Sequence, residues 1–401
     1  MNSILKTNEN IKKNIIPIIS FIILLQPIID LVIGLSIKTD FFPSIMSLIR
    51  MIILGFLLYY FIVINKSKHK KLITIFLCLI ALYLSCFYIN MNFSFIELKA
   101  AVKIFYFPAM FMILVSIFDE EKTFIDKKYF LISLSIYAFV IILGFLTNTA
   151  FESYDVAKTG SSGYFNAANE VSGIISLLLP FAFFYVFDKV NIKKVLWLLL
   201  IVSAIFILGT KTPFISLIIC ICYFIAKLIN KSNVIKISFI TLFSLVILSF
   251  IIIETPIYEN MIIHAEFLEL DELDDVIDEP ELLDHFLLGS RLKFLNDNNT
   301  IYMESNAIDK LFGIGYIDDS KLAEMDICDI FYRQGIIGFI LFFGSVLSVL
   351  VLNTKKYNKN YILPIILIVL VSTFVGHVLT APAVSTFVAL ILCGFMKEEV
   401  V

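Results

Sequence analysis

Metal-ligand spacing is missing from this chain. His69, His264, His285 and His377 stand far apart, with no partners at the intervals that coordination needs. The acidic stretch DELDDVIDEPELLD lacks the glycine-turned loop of a calcium hand and reads as a solvated face. A disulfide framework is excluded too. Cys78, Cys86, Cys220, Cys222, Cys328 and Cys393 lie within or beside apolar runs, where cysteine packs as a small hydrophobe. Cys220 and Cys222 point to different helix faces, which suits packing rather than a metal. No cleavable signal is expected, because the first apolar run, 15–37, is too long for one and no small-residue cleavage site follows it. No internal repeat is evident, and no pair of interrupted helices of the transporter kind. No cofactor and no nucleic-acid partner are expected.

What is present is apolar sequence in long runs. The chain of 401 residues is 60% hydrophobic with a mean hydropathy of +0.95, against about 45–50% apolar for a soluble domain. The fold class expected is an all-α polytopic membrane protein with about twelve transmembrane helices. The spans fall near 15–37, 43–64, 72–89, 95–118, 129–147, 171–188, 195–210, 214–229, 234–253, 327–352, 361–379 and 383–396. This gives three segments: helices 1–9 over 1–253, an external loop or cap over 254–326, and helices 10–12 over 327–401. Alternate connections, with the termini, hold 20 of the 31 Lys and Arg. By the positive-inside rule both termini are cytoplasmic and the protein is multi-pass in the cytoplasmic (inner) membrane. Two external connections are long. Residues 254–326 carry 19 acidic residues and amphipathic stretches near 281–295 and 302–312, which predict a small helical cap.

This orientation gives each charge a depth. Asp30, Arg50, Glu97, Lys99, Lys103, Glu170, Lys211, Asp329, Arg333 and His377 all fall in the outer half, and the inner half holds essentially no buried ionisable group. Charges inside spans generally face a bundle interior or a wet cavity, so the pattern predicts a polar chamber open to the outside. It fits an enzyme better than a flippase or permease, which needs polar lining near the midplane and on both sides. Lys99 and Lys103 share one helix face, as do Asp326, Asp329 and Arg333. Arg50, Lys99, Lys103, Lys211, Arg291 and Arg333 form a cationic set suited to an anionic group. Asp30, Arg50 and Glu97 also read as structural ion pairs or snorkelling groups, and His377 as a hydrogen-bonded packing residue. In SSGYFNAANE, Tyr164 offers a face for a sugar ring, Asn166 and Asn169 offer paired donors and acceptors, and Glu170 opens the next span; an ordinary loop is the alternative.

Four stretches in order resemble the O-antigen polymerase and O-antigen ligase superfamily of bacterial surface polysaccharide assembly: SGYFNAANEVSGIISLLLPFAF (162–183), ILGTKTPFISLI (207–218), LLGSRLKFL (287–295) followed by KLFGIGY (310–316), and AEMDICDIFYRQGIIGFILFF (323–343). The resemblance implies a metal-independent membrane glycosyltransferase of the GT-C class. Its substrate would be an undecaprenyl-diphosphate-linked oligosaccharide entering from membrane lipid, with a chain-length regulator or flippase of the same pathway as a possible partner. Lys211, where the family usually has arginine, and Arg291 would contact the diphosphate, with Arg333, Lys99, Lys103 and Arg50 as further contacts. Tyr164, Asn166, Asn169, Glu170 and Asp329 would face the glycan. Ligases of the superfamily usually carry a histidine just before the tenth span; here carboxylates stand there. Glu324 and Asp326 are therefore the candidate bases, with Arg291 completing the catalytic set, unless both carboxylates only orient a cation or cap the helix. The acid-rich form looks more like polymerases of capsule, exopolysaccharide or O-antigen repeat units than like ligases.

Overall fold

Helices occupy nearly every apolar run that a computed structural model describes, over residues 2–39, 43–90, 95–154, 159–228, 290–316, 323–353 and 357–397. In chain order they are α1 (Asn2–Lys38), α2 (Pro43–Tyr59, continued by a π-turn Tyr60–Ile64), α3 (Lys70–Asn90), α4 (Phe95–Glu121), α5 (Lys128–Leu146), α6 (Ala168–Asp188), α7 (Ile192–Leu208), α8 (Lys211–Leu228), α9 (Arg291–Glu304), α10 (Ala307–Phe312), α11 (Asp326–Asn353), α12 (Ile362–Phe374) and α13 (Pro382–Phe395). Among the described residues, six helices are long and apolar enough to cross a membrane: Asn8–Lys38, Lys70–Ile89, Glu97–Glu121, Lys128–Leu146, Ala168–Asp188 and Asp326–Leu352. Leu48–Ile64, Lys359–Phe374 and Pro382–Phe395 are shorter apolar helices. The ninth expected span, the acidic stretch and Lys158 lie outside the described residues.

The expectation of an all-α chain needs one correction. Between α5 and α6, β1 (Phe151–Tyr154) pairs antiparallel with β2 (Thr159–Gly163). Gly160 and Gly163 take φ of 69° and 67°, which glycine reaches without steric cost. A loop rich in Phe, Tyr, Thr and Ser then fits a pleated ribbon better than a helix.

The chain divides into two compact units. The first comprises Met1–Ile23, Ser47–Asp126 and Leu287–Val401; the second comprises Leu24–Met46 and Lys127–Phe286. In the first, α4 is the central helix, packed on α13, α11 and α3. Phe105, Phe107 and Phe342 interlock between α4 and α11. Lipid is as apolar as these side chains, so their association rests on close packing and on polar contacts rather than on removal from water. The polar contacts are correspondingly placed at the helix ends. At the Glu121 end of α4, Asn65 accepts from the Ser116 hydroxyl at 2.8 Å, Asp119 accepts from Ser67, Glu120 pairs with Lys12, and the Tyr60 hydroxyl donates to Glu121. That polar closure was not foreseen in the sequence.

At the other end of the first unit α11 is broken. Gly335 has φ 63° and ψ −173° inside the run Asp326–Asn353. The carbonyls freed by the break find new donors: Tyr332 O accepts from Ile314 N at 3.0 Å, and Gln334 O accepts from the Tyr83 hydroxyl of α3 at 2.8 Å. Irregular backbone at membrane depth survives only where protein or a wet cavity satisfies it. The tenth span was expected to be continuous; an internal Gly in RQGIIG is the signal for the break.

In the second unit, α5, α6, α7 and α8 pack together and the hairpin lies against α5 and α7. Tyr137 donates to the carboxylate of Asp30 at 2.5 Å, which gives that span-embedded charge a protein partner. A Cβ on Gly34 would overlap the carbonyl of Tyr164.

Candidate functional site

The opening stretch of α11 gathers most of the expected residues. Asp329, one turn into the helix, accepts from Ala323 N at 2.9 Å and from Met325 N at 3.1 Å. Those two bonds fold residues 323–325 back over the helix start and place Glu324 in left-handed backbone, φ 55°. Such a conformation is uncommon outside glycine and is held by its surroundings. Glu324 then reaches one cation and one imidazole. Its Oε2 lies 2.8 Å from Nη2 of Arg291, the first residue of α9, and its Oε1 lies 3.8 Å from Nε2 of His377. Arg291 also donates from Nη1 to Phe374 O at 3.2 Å.

His377 was read as a packing residue at the end of the eleventh span. The structure corrects its position. α12 stops at Phe374, and the chain turns through Gly376 and His377 at φ 69° and 58°. A Cβ at 376 would overlap the carbonyl of Glu324, so glycine there lets the two turns touch. Asp326 fastens the same turn: Oδ1 accepts from His377 N at 2.9 Å and from the Thr380 hydroxyl at 2.8 Å, and Oδ2 accepts from Val378 N and Leu379 N at 2.8 Å each. Asp326 is 1% exposed. The sequence signal for this turn was GHVLTAP, a Gly and a Pro bracketing a His at a span end.

The electrostatics follow from the contacts. His377 first, then Arg291, hold the Glu324 carboxyl down at about 2, against the opposing effect of burial. Glu324 is therefore an anion at any physiological pH.

Arg333 belongs to a second layer. It is 1% exposed, donates to Gly315 O at 2.7 Å and to Asn298 Oδ1 at 2.9 Å, and lies 5.5 Å from the ring centre of Tyr316. Glu97, at the start of α4, accepts from Tyr316 N at 2.6 Å. The segment GIGY is thereby clipped between α4, α9 and α11. Arg50 is 9% exposed on α2. Lys99 and Lys103 are exposed on α4. Neither lysine is drawn into the Glu324 cluster.

The remaining expected residues lie on the second unit. Lys211 opens α8, next to Thr210, whose hydroxyl meets that of Ser172 at 2.6 Å. The Tyr164 hydroxyl meets those of Thr149 at 2.6 Å and Thr147 at 3.2 Å. Asn166 is exposed, and Asn169 and Glu170 are half-buried in the entry to α6. No group of three or more His, Cys, Asp or Glu among the described residues has the arrangement to hold a metal ion.

No curated protein and no solved structure matches the chain. The family model described as O-antigen ligase like membrane protein matches residues 12–279 and 271–398. Those matches span nearly the whole sequence, including both turns that meet at Glu324, and the chain belongs to the O-antigen ligase-like membrane protein family.

Proposed function

We propose that this protein transfers a glycan from a polyprenyl diphosphate carrier to a sugar hydroxyl at the external face of the membrane, joining repeat units into a surface polysaccharide. Membership of the family supports membrane glycan transfer. The observation that carries the finer reading is the meeting of Glu324 and His377, both in left-handed backbone outside the helices, with Arg291 at the start of α9. Strain of this kind gathers at functional sites. In the reaction, the acceptor oxygen bonds to the anomeric carbon as the bond from that carbon to the diphosphate breaks. The diphosphate leaves with the electron pair. Arg291 is the cation for that developing charge. The acceptor proton goes to His377. Nε2 faces Glu324, and the proton is received at the other imidazole nitrogen, Nδ1. Glu324, held near 2, is too weak a base for that step at neutral pH, and its role is to orient the imidazole. Asp326 already accepts four hydrogen bonds and is an anchor. Lys211 and the turn bearing Tyr164, Asn166 and Asn169 are candidate contacts for the same class of substrate on the second unit.

A ligase-type reaction, with a lipid, wall or protein acceptor, is the second reading. The histidine lacking ahead of the tenth span is replaced in space by His377, and that favours it. Purified protein in liposomes with a lipid-linked repeat unit separates the two. A ladder of products on the carrier supports polymerisation; a single transfer to an added acceptor supports ligation. No transfer in either format, with folded protein, rejects both. Arg291→Ala is expected to leave single units unextended.

A further inference from the structure

We propose that Asp326 is a positioning residue, which presents His377 to the acceptor by collecting the backbone of the turn that carries it. This deepens the proposed function and rests on it only for the word acceptor. Three successive N–H groups, of His377, Val378 and Leu379, converge on one buried carboxylate, and the Thr380 hydroxyl supplies a fourth bond. A row of amides aimed at one anion forms a concave nest. Here the anion comes from another element, the first turn of α11, two residues beyond Glu324. One side chain therefore fixes the spacing between the two partners of the Glu324–His377 pair. It also holds His377 at φ 58°, a conformation that a free chain leaves. Gly376 completes the device from the other side by allowing contact with the Glu324 carbonyl. A helix-capping role alone would need neither the His377 amide nor the Thr380 hydroxyl.

Asp326→Asn keeps the shape of the side chain but turns an NH2 group toward at least one of the donors it now accepts from. It is expected to slow transfer about 10- to 100-fold, the effect of misplacing a reacting group by an ångström or so, with the donor KM unchanged. In a His377→Ala background the same substitution is expected to add almost nothing, because the group it positions is already gone. Equal losses in both backgrounds overturn the proposal. Thr380→Val removes a single bond and repeats the comparison should Asp326→Asn fail to accumulate in membranes. A readout independent of transfer is the rate at which diethyl pyrocarbonate modifies His377 in the folded, detergent-solubilised protein, followed on its peptide by mass spectrometry. Release of the turn is expected to raise that rate several-fold. A raised rate in a protein without transfer activity upholds the positioning role and rejects the functional reading. An unchanged rate rejects the positioning role.

Discussion

Gly313 and Gly335 touch backbone to backbone: a Cβ on either would overlap main-chain atoms of the other's segment. The contact seats the GIGY segment in the break of α11. Gly335 also has φ 63° and ψ −173°, a region essentially reserved for glycine. Gly335→Ala is therefore expected to destabilise the first unit by about 2–6 kcal/mol, adding backbone strain of about 1–3 to overpacking of similar size. Gly344, in the same helix, has no atom closer than 3.9 Å to such a Cβ, and Gly344→Ala is the matched control. Thermal unfolding in detergent should separate the two variants clearly; equal melting temperatures would mean that the segment is not seated in the break.

Arg333→Lys keeps the charge but not the two-pronged donor geometry. Arg333 holds Gly315 O and Asn298 Oδ1 from one guanidinium. Charge-assisted bonds of this sort contribute about 1.5–3 kcal/mol, and the loss should appear as a lower melting temperature. The expected role as a diphosphate contact predicts a different pattern, with transfer lost and stability kept.

The sequence located the apolar helices well because hydropathy is a long-range average, insensitive to any one residue. Eleven of the expected twelve runs are helical where described, and the helices Arg291–Glu304 and Ala307–Phe312 overlap the described parts of the amphipathic stretches expected near 281–295 and 302–312. Orienting a cation, Arg291 or Lys211, was one of the alternatives weighed for Glu324 and Asp326 beside a base or a helix cap, and the structure pairs Glu324 with Arg291. What stayed hidden depends on single backbone dihedrals. The exit of His377 from α12 follows from two adjacent left-handed residues and one buried aspartate fifty-one positions away. The break at Gly335 depends on a partner glycine in a loop. Spacing on a helix cannot reveal either, since both arise where the helix ends or fails. Asp326, Asp329 and Arg333 do follow one helical face as expected, yet each reaches a different segment of the fold.

In the second unit, Gly34 of α1 lies against the carbonyl of Tyr164, and no side chain fits between them. Gly34→Val is expected to push the 163–166 turn away from the helix. It should lower transfer and thermal stability together, by about 1–3 kcal/mol for the latter. Gly55, whose Cβ would meet open space, tolerates the same change. A hydrogen-exchange measurement on peptides covering 160–170 should show faster exchange in Gly34→Val alone. Unchanged protection there would detach the turn from α1.

The Glu324 carboxyl gives a pH signature whose sign is fixed by its contacts. His377 and Arg291 depress it from the ordinary 4.5 to about 2. A depressed carboxyl stabilises the fold above its unfolded-state value, and that contribution fades as pH falls through the folded one. Native protein should therefore exceed Glu324→Gln in melting temperature at neutral pH. The gap should hold down to about pH 4.5, narrow between 4.5 and 2, and vanish below, where both side chains are neutral. Raising salt should shrink the gap only in part, because the Arg291 side chain is 17% exposed and the pair is incompletely screened. Removing the imidazole takes away the larger of the two stabilising contacts. In His377→Ala the gap should consequently be smaller, and the narrowing, which still begins near pH 4.5, should end at higher pH. Titration of the melting temperature for the three proteins between pH 2 and 7 checks the whole series, and a gap that widens toward acid would contradict the arrangement of charges around Glu324.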